Sequence, residues 1–164
     1  MDEYRIGVLS DTHLLKNGKL PREVWHGLSD VNAILHAGDI LDPAVLEELE
    51  CLAPTYAVQG NCDVFYQTDL PDKRIVEFNG VRIGITHGHL GRGRTTPERA
   101  LQLFCAQDVQ VIVFGHSHMP YLDYRDGILL FNPGSPTAKR SAPHYSYGLI
   151  TLKEGQIKAV HRYF

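Results

Sequence analysis

Five short segments place metal-binding or proton-active side chains directly after apolar runs. They are Asp11-Thr12-His13, Gly38-Asp39, Gly60-Asn61, His87-Gly88-His89 and Gly115-His116-Ser117-His118. Alone, each has an ordinary use. A D-x-H can be a turn, Gly-Asp can open a helix, Gly-Asn suits a left-handed turn, and H-x-H can be two surface residues. Together they are a donor set. Asp11, Asp39 and the Asn61 amide offer oxygen; His13, His87, His116 and His118 offer nitrogen. Seven donors exceed what one tetrahedral ion uses, and suit two ions sharing a carboxylate with positions left for water and substrate. No cysteine occupies these positions, which argues against a closed thiolate zinc site. Imidazole with carboxylate accommodates Mn, Fe, Co, Ni or Zn. Two such ions about 3.5–4 Å apart can stabilise the attacking and leaving oxygens of an in-line displacement at phosphorus.

Donors this far apart in sequence need a fold that gathers strand ends. The pattern predicts strands over 5–9, 31–35 and 55–58, separated by helices over 21–28, with Pro21 in its first position, and over 42–52, capped by Asp42. Paired strands over 74–78 and 81–86 flank Asn79-Gly80, a tight-turn dipeptide. A helix opened by Thr96-Pro97 runs to about 106, and a run over 109–114, apolar apart from Gln110 and rich in β-branched residues, reads as a buried central strand. Two more hairpins turn at Asp126-Gly127 and Glu154-Gly155. Alternation in front and hairpins behind predict a mixed-sheet α/β fold. In open α/β sheets, ligands bind beyond the carboxyl ends of the strands, which is where all five segments fall.

The 164 residues predict one domain, 1–164. A net charge of −3 offers no basic excess for gripping a long nucleic-acid backbone, so no dedicated nucleic-acid-binding domain is expected. Cys51, Cys62 and Cys105 are odd in number, widely spaced and free of C-x-x-C, which reads as free thiols in a reducing, cytoplasmic setting. The acidic start is no signal peptide, and no apolar run is long enough to span a bilayer.

In their order, D-x-H, G-D, G-N, H-G-H and G-H-x-H resemble the calcineurin-like metallophosphoesterase superfamily. The Gly60-Asn61-Cys62-Asp63 form, Thr86-His87-Gly88-His89 and Asn132-Pro133-Gly134-Ser135 are similar to its small, single-domain phosphodiesterase branch in bacteria and archaea. The resemblance implies an α/β fold of two mixed β-sheets packed as a sandwich flanked by helices. It implies two divalent transition-metal ions, manganese first, with nickel, cobalt, iron or zinc as alternatives. Asp11, His13 and His118 would hold one ion, Asn61, His87 and His116 the other, and Asp39 would bridge them. A bridging hydroxide would attack phosphorus in line, making the chain a metal-dependent phosphodiesterase acting on a small diester. A homo-oligomer is left open.

One position departs from the pattern. Many relatives carry histidine where this chain has Cys62, and that imidazole is thought to protonate the leaving group. A thiol replaces it poorly. His89 is the candidate acid in its place, with His36 behind it, though both fit better as structural residues or supports for metal-bound imidazoles. Arg92, in Gly91-Arg92-Gly93-Arg94 before the Thr96 helix, is a candidate phosphate contact together with Asn61. His26, His144 and His161 follow no motif and read as structural or surface residues. The alternative to an enzyme is a metal-binding protein-interaction scaffold. One superfamily member of that kind shares G-N-C-D but departs at catalytic histidines that this chain retains.

Overall fold

The computed structural model describes residues 2–66 and 69–164. The first sheet has the order β10-β9-β1-β2-β3, from β1 (Tyr4–Leu9), β2 (Ala33–His36), β3 (Thr55–Ala57), β9 (Ser146–Lys153) and β10 (Gln156–Tyr163). The second has the order β4-β5-β6-β8-β7, from β4 (Lys73–Phe78), β5 (Val81–Thr86), β6 (Val111–Val113), β7 (Tyr121–Arg125) and β8 (Ile128–Asn132). Both sheets are mixed. β1, β2 and β3 are parallel, as are β5, β6 and β8, while the flanking strands pair antiparallel.

Strand alternation explains the layers. Ile6, Val8 and Leu35 point inward against Ile83, Ile85, Val111, Val113, Leu129 and Phe131 of the other sheet, forming the core of the sandwich. The opposite face of the first sheet packs Leu9 and Ile34 against Val24 and Leu28, from and just after α1 (Arg22–Gly27), and against Val45 and Leu49 of α2 (Ala44–Glu50). The outer face of the second sheet packs Ile112 and Leu130 under Ala100 and Phe104, from and just after α3 (Thr96–Leu103). Each such side chain, fully buried, stabilises the fold by about 1.5–3 kcal/mol.

All three expected hairpins form, with positive φ at both turn residues: Asn79-Gly80, Asp126-Gly127 and Glu154-Gly155. The helices are shorter than the sequence predicts. Pro21 is extended and precedes α1 rather than opening it. Pro43 already has helical angles, and the Ala44 N–H donates to Asp42 Oδ1, so Asp42 caps α2 one residue earlier than the assigned start. Thr95 and Glu98 form a reciprocal capping box on α3, a signal the sequence reading did not use. The chain also returns unexpectedly: β9 pairs antiparallel with β1, so the last hairpin completes the first sheet. Among the described residues no helix is long and apolar enough to cross a membrane.

Candidate metal centre

The carboxyl ends of the six parallel strands meet along one edge. The His116 N–H donates to Asp11 Oδ2 at 2.9 Å, tying the turn after β6 to that after β1. His87 Nδ1, after β5, lies 2.8 Å from the carbonyl of Ala37, after β2. The backbone there is unusual. Asp11, His13, Asp39, His116 and His118 all have positive φ, between 46° and 70°. Asp and His enter this region more readily than most residues, yet each such position costs on the order of 1–3 kcal/mol. Five of the seven expected donors therefore sit on backbone that the surrounding hydrogen bonds must hold.

Asp63, buried at the start of the 3₁₀ turn Asp63–Tyr66, supplies much of that hold. Its carboxylate accepts the backbone N–H groups of Asp39, Ile40, Leu41 and Gly60, all at 2.8–2.9 Å. Gly60 must be glycine, because a Cβ would collide with Asp39, and a Cβ on Gly115 would strike Ser10 and Asp11. Asn132 Nδ2 donates to the Gly115 carbonyl and to Ser117 Oγ, while Ser135 Oγ donates to the Asp11 carbonyl. Arg99 donates to the Gly88 carbonyl at 3.0 Å and tethers the turn after His87. None of these supporting side chains is marked as such by the sequence pattern. Asp63 and Asn132 stood inside quoted motifs, but Arg99 had no local signal.

The donors converge. His13 Nε2 and His118 Nε2 lie 3.6 and 3.3 Å from Asp11 Oδ1. Asn61 Oδ1 and His87 Nε2 lie 3.2 and 3.3 Å from His116 Nδ1. Asp39 Oδ2 stands between the groups, 3.4 Å from His13 Nε2 and 3.2 Å from His87 Nε2. The Cys62 N–H holds the other Asp39 oxygen at 2.8 Å. Carbonyls only accept, so His87 donates Nδ1–H to Ala37 and His118 donates Nδ1–H to Ala138, turning both Nε2 lone pairs inward. Asp11 Oδ1, His13 Nε2 and His118 Nε2 are buried without a hydrogen-bond partner. Such orphans are costly unless something else satisfies them. Asp11 with His13 and His118, and Asp11 with Asp39 and His87, could each hold a cation, so the residues present fit a divalent metal.

Charge follows from burial and neighbours. Burial alone would raise the Asp11 and Asp39 carboxyls. The imidazole contacts, from His13 to Asp11 and from His87 to Asp39, outweigh it and hold both below the usual range. Burial would lower His87, but Asp39 and Asp11 raise it. Burial lowers His116 and His118, and the charge of Asp11 only partly offsets this.

The proposed proton sources fare unevenly. His36 is wholly buried, with Nε2 on Thr12 Oγ1 and Nδ1 accepting the Gly38 N–H, so it braces the turn rather than facing the centre. Burial lowers its pKa to about 4. Cys62 is closer than expected: its sulfur, a His13 ring nitrogen and an Asp39 oxygen lie within 4.8 Å of one another. Burial and the Asp39 charge push its thiol up to about 11, so it stays protonated and gives up its proton reluctantly. His89 stands at the margin, its ring 5.4 Å from His87 and 6.2 Å from His116, with Nδ1 unpartnered. Burial, then His87, lowers its pKa.

Around Arg92, the Arg94 and Thr95 N–H groups donate to Glu98 and the Arg92 N–H donates to Gln102, while the Arg92 guanidinium is exposed. His161 is structural: it donates to the Asn132 carbonyl at 2.7 Å and packs on Phe131. His144 sits edge-on to Tyr163, and all three cysteines are free.

A family model described as the calcineurin-like phosphoesterase superfamily domain matches residues 4–155. A probable metallophosphoesterase of Methanothermobacter thermautotrophicus is 42% identical over 137 residues, covering 82% of this chain and 78% of its own. A phosphodiesterase of Methanocaldococcus jannaschii is 29% identical, covering 79% of this chain and 82% of its own. The structure of vacuolar protein sorting 29 from Cryptosporidium parvum superimposes with a TM-score of 0.78 at 20% identity, covering 99% and 98% of the two chains.

Proposed function

Because the chain belongs to the calcineurin-like phosphoesterase superfamily, we propose that it is a dinuclear-metal-dependent phosphodiesterase, residues 1–164 forming one catalytic domain. The observation that carries this reading is Asp39 Oδ2, 3.4 Å from His13 Nε2 in one donor group and 3.2 Å from His87 Nε2 in the other. Asp11, His13 and His118 would hold one ion and Asn61, His87 and His116 the second, with Asp39 placed to serve both. Manganese is the first choice of ion, and the donor set admits nickel, cobalt, iron or zinc. Divalent cations, when bound, make water nucleophilic near neutral pH and neutralise charge building on the phosphoryl oxygens.

The chain's own groups then divide the remaining work. Asn61 turns Oδ1 inward and leaves Nδ2, 3.6 Å from the Cys62 sulfur, to donate toward a phosphoryl oxygen. The inward-turned imidazoles are held by the Ala37 and Ala138 carbonyls, so their positions are set before substrate arrives. With His36 sealed in the core and the Cys62 thiol a weak acid, the leaving oxygen departs with little proton help. His89 is the remaining donor. A diester is favoured over a monoester by the branch that the G-N-C-D segment resembles and by the name of the M. jannaschii relative. The free thiols fit the reducing cytoplasm.

The test is hydrolysis of bis-p-nitrophenyl phosphate against p-nitrophenyl phosphate, each with Mn, Ni, Co and Zn. Metal-dependent turnover, faster on the diester, is expected. Protein carrying two ions per chain and turning over neither ester would instead act as a metal-binding scaffold.

A further inference from the structure

We propose that Arg140 is a substrate-binding residue of the centre, its guanidinium gripping the non-bridging oxygens of the phosphoryl group from the side of Asp11, His13 and His118. This rests on the phosphodiesterase reading and adds to it a contact that no motif marks.

Arg140 lies on the segment that follows β8, and that segment is fastened to the centre at three points. Ser135 Oγ donates to the Asp11 carbonyl at 2.8 Å, Thr137 Oγ1 donates to the Thr12 carbonyl at 2.6 Å, and His118 Nδ1–H donates to the Ala138 carbonyl. Arg140 comes two residues after the last of these ties. The Ala142 N–H then donates to the Lys139 carbonyl at 2.9 Å, closing a turn in which Arg140 is the first central residue. Its φ is 50°. Positive φ at that place suits glycine, so an arginine there is held under strain, and strained positions gather where a side chain has work to do.

Two cations stand side by side on this turn, and their fates differ. Lys139 Nζ donates to the Ala142 carbonyl at 3.3 Å and lies 5.7 Å from the centre of the Tyr145 ring, so it is committed. Arg140 is exposed, and its guanidinium has no hydrogen bond or ion pair among the described residues. Its charge nonetheless reaches the centre. Burial and the neighbouring carboxylates act most strongly on the Cys62 thiol and the His118 imidazole, and Arg140 acts on both as well, favouring their less protonated forms. Coulomb interactions weaken with distance. A cation felt by His118, and by Cys62 where it lies with His13 and Asp39, therefore stands on that side of the centre. Arg99, by contrast, is spent on the Gly88 carbonyl and Thr96 Oγ1. A guanidinium stays charged at any working pH and presents a planar fork of donors that matches two phosphoryl oxygens. Arg140 is thus a free fork on a base that three hydrogen bonds fix to the metal-site turns.

Calorimetry of inorganic phosphate binding to the Mn-loaded protein, with metal content measured on the same samples, tests this without turnover. Arg140→Gly suits the turn, so its urea midpoint in EDTA should not fall, while phosphate affinity should drop about tenfold at unchanged metal content. Arg140→Lys keeps the charge without the fork and should recover part of the affinity. Lys158→Ala, in edge strand β10, should match wild type. With bis-p-nitrophenyl phosphate the loss in Arg140→Gly should appear chiefly as a raised KM. No phosphate binding by the wild type, or wild-type affinity in Arg140→Gly, overturns the proposal. So does a loss seen only together with a lower midpoint or less metal, which assigns Arg140 to the fold of its loop. If affinity falls as expected but the wild type hydrolyses neither nitrophenyl ester, Arg140 stands as an anion contact and the phosphodiesterase reading fails. If the wild type hydrolyses the diester and Arg140→Gly keeps its affinity and KM, the reading stands and the Arg140 contact fails.

Discussion

The backbone N–H of Asp39 donates to the Asp63 carboxylate at 2.8 Å, so one buried acid holds the turn that aims another. Asp63 Oδ2 also accepts from Gly60, and Oδ1 accepts from Ile40 and Leu41. In Asp63→Asn, whichever oxygen becomes an amide NH₂ faces two N–H donors and satisfies neither. We expect a loss of about 3 kcal/mol in urea unfolding, with less metal retained after dialysis. Wild-type stability and metal content in this variant would show that the turn holds itself.

Asp63 also marks what the sequence hid. The donors were legible because each follows a strand whose apolar pattern is strong, and parallel strands bring their ends to one edge. The three hairpins were legible because Asn-Gly, Asp-Gly and Glu-Gly meet a local need for positive φ. Supporting residues were not, since their meaning lies in partners far along the chain: Ser135 reaches back to Asp11, and Arg99 to Gly88. Helix ends were overrun because amphipathic spacing continues into turns such as that after Leu103. The pairing of β9 with β1 joins residues about 140 apart, beyond any local signal. At the glycine-rich segment around Arg92, the partners of the backbone N–H groups, Glu98 and Gln102, lie a turn or more along the chain and carry no local signal.

Cys62 should be chemically quiet in the metal-free protein. Its thiol is held near 11 by burial and by Asp39, whereas Cys51 and Cys105 are exposed. Iodoacetamide at pH 8, followed by peptide mass spectrometry, should label Cys62 more than about tenfold more slowly than the other two. Equal labelling would mean that the thiol is ionised or unshielded. The same weakness predicts a steep dependence of turnover on leaving-group pKa. Cys62→His should help alkyl diesters more than nitrophenyl diesters, by as much as about 10²-fold. A shallow dependence in the parent would point to His89, and His89→Gln should then slow alkyl esters selectively.

His36 should make the metal-free protein acid-sensitive. Its native pKa of about 4 lies below its ordinary value of 6.5, so protons bind the unfolded chain first. The stability from neutral His36 is complete above pH 6.5 and is lost as pH falls toward 4, a change on the order of 3 kcal/mol. His36→Asn keeps an acceptor for the Gly38 N–H without the titration. Its deficit against wild type, measured by urea unfolding in EDTA, should shrink between pH 7 and 4.5. A constant deficit would remove His36 from the acid response.

Asp39→Asn replaces the shared charge with a neutral amide while leaving the Asp63 contact to the backbone in place. Both ions should bind more weakly, read by metal analysis after dialysis, and turnover should fall by at least about 10³-fold. Loss of one ion with the other retained would assign Asp39 to a single position.

Anomalous diffraction from manganese-soaked crystals tests the dinuclear centre most directly. The account predicts two peaks about 3.5–4 Å apart, one among Asp11, His13 and His118, the other among Asn61, His87 and His116, with Asp39 Oδ2 bonded to both. A single peak, or two peaks that do not share Asp39, would contradict it.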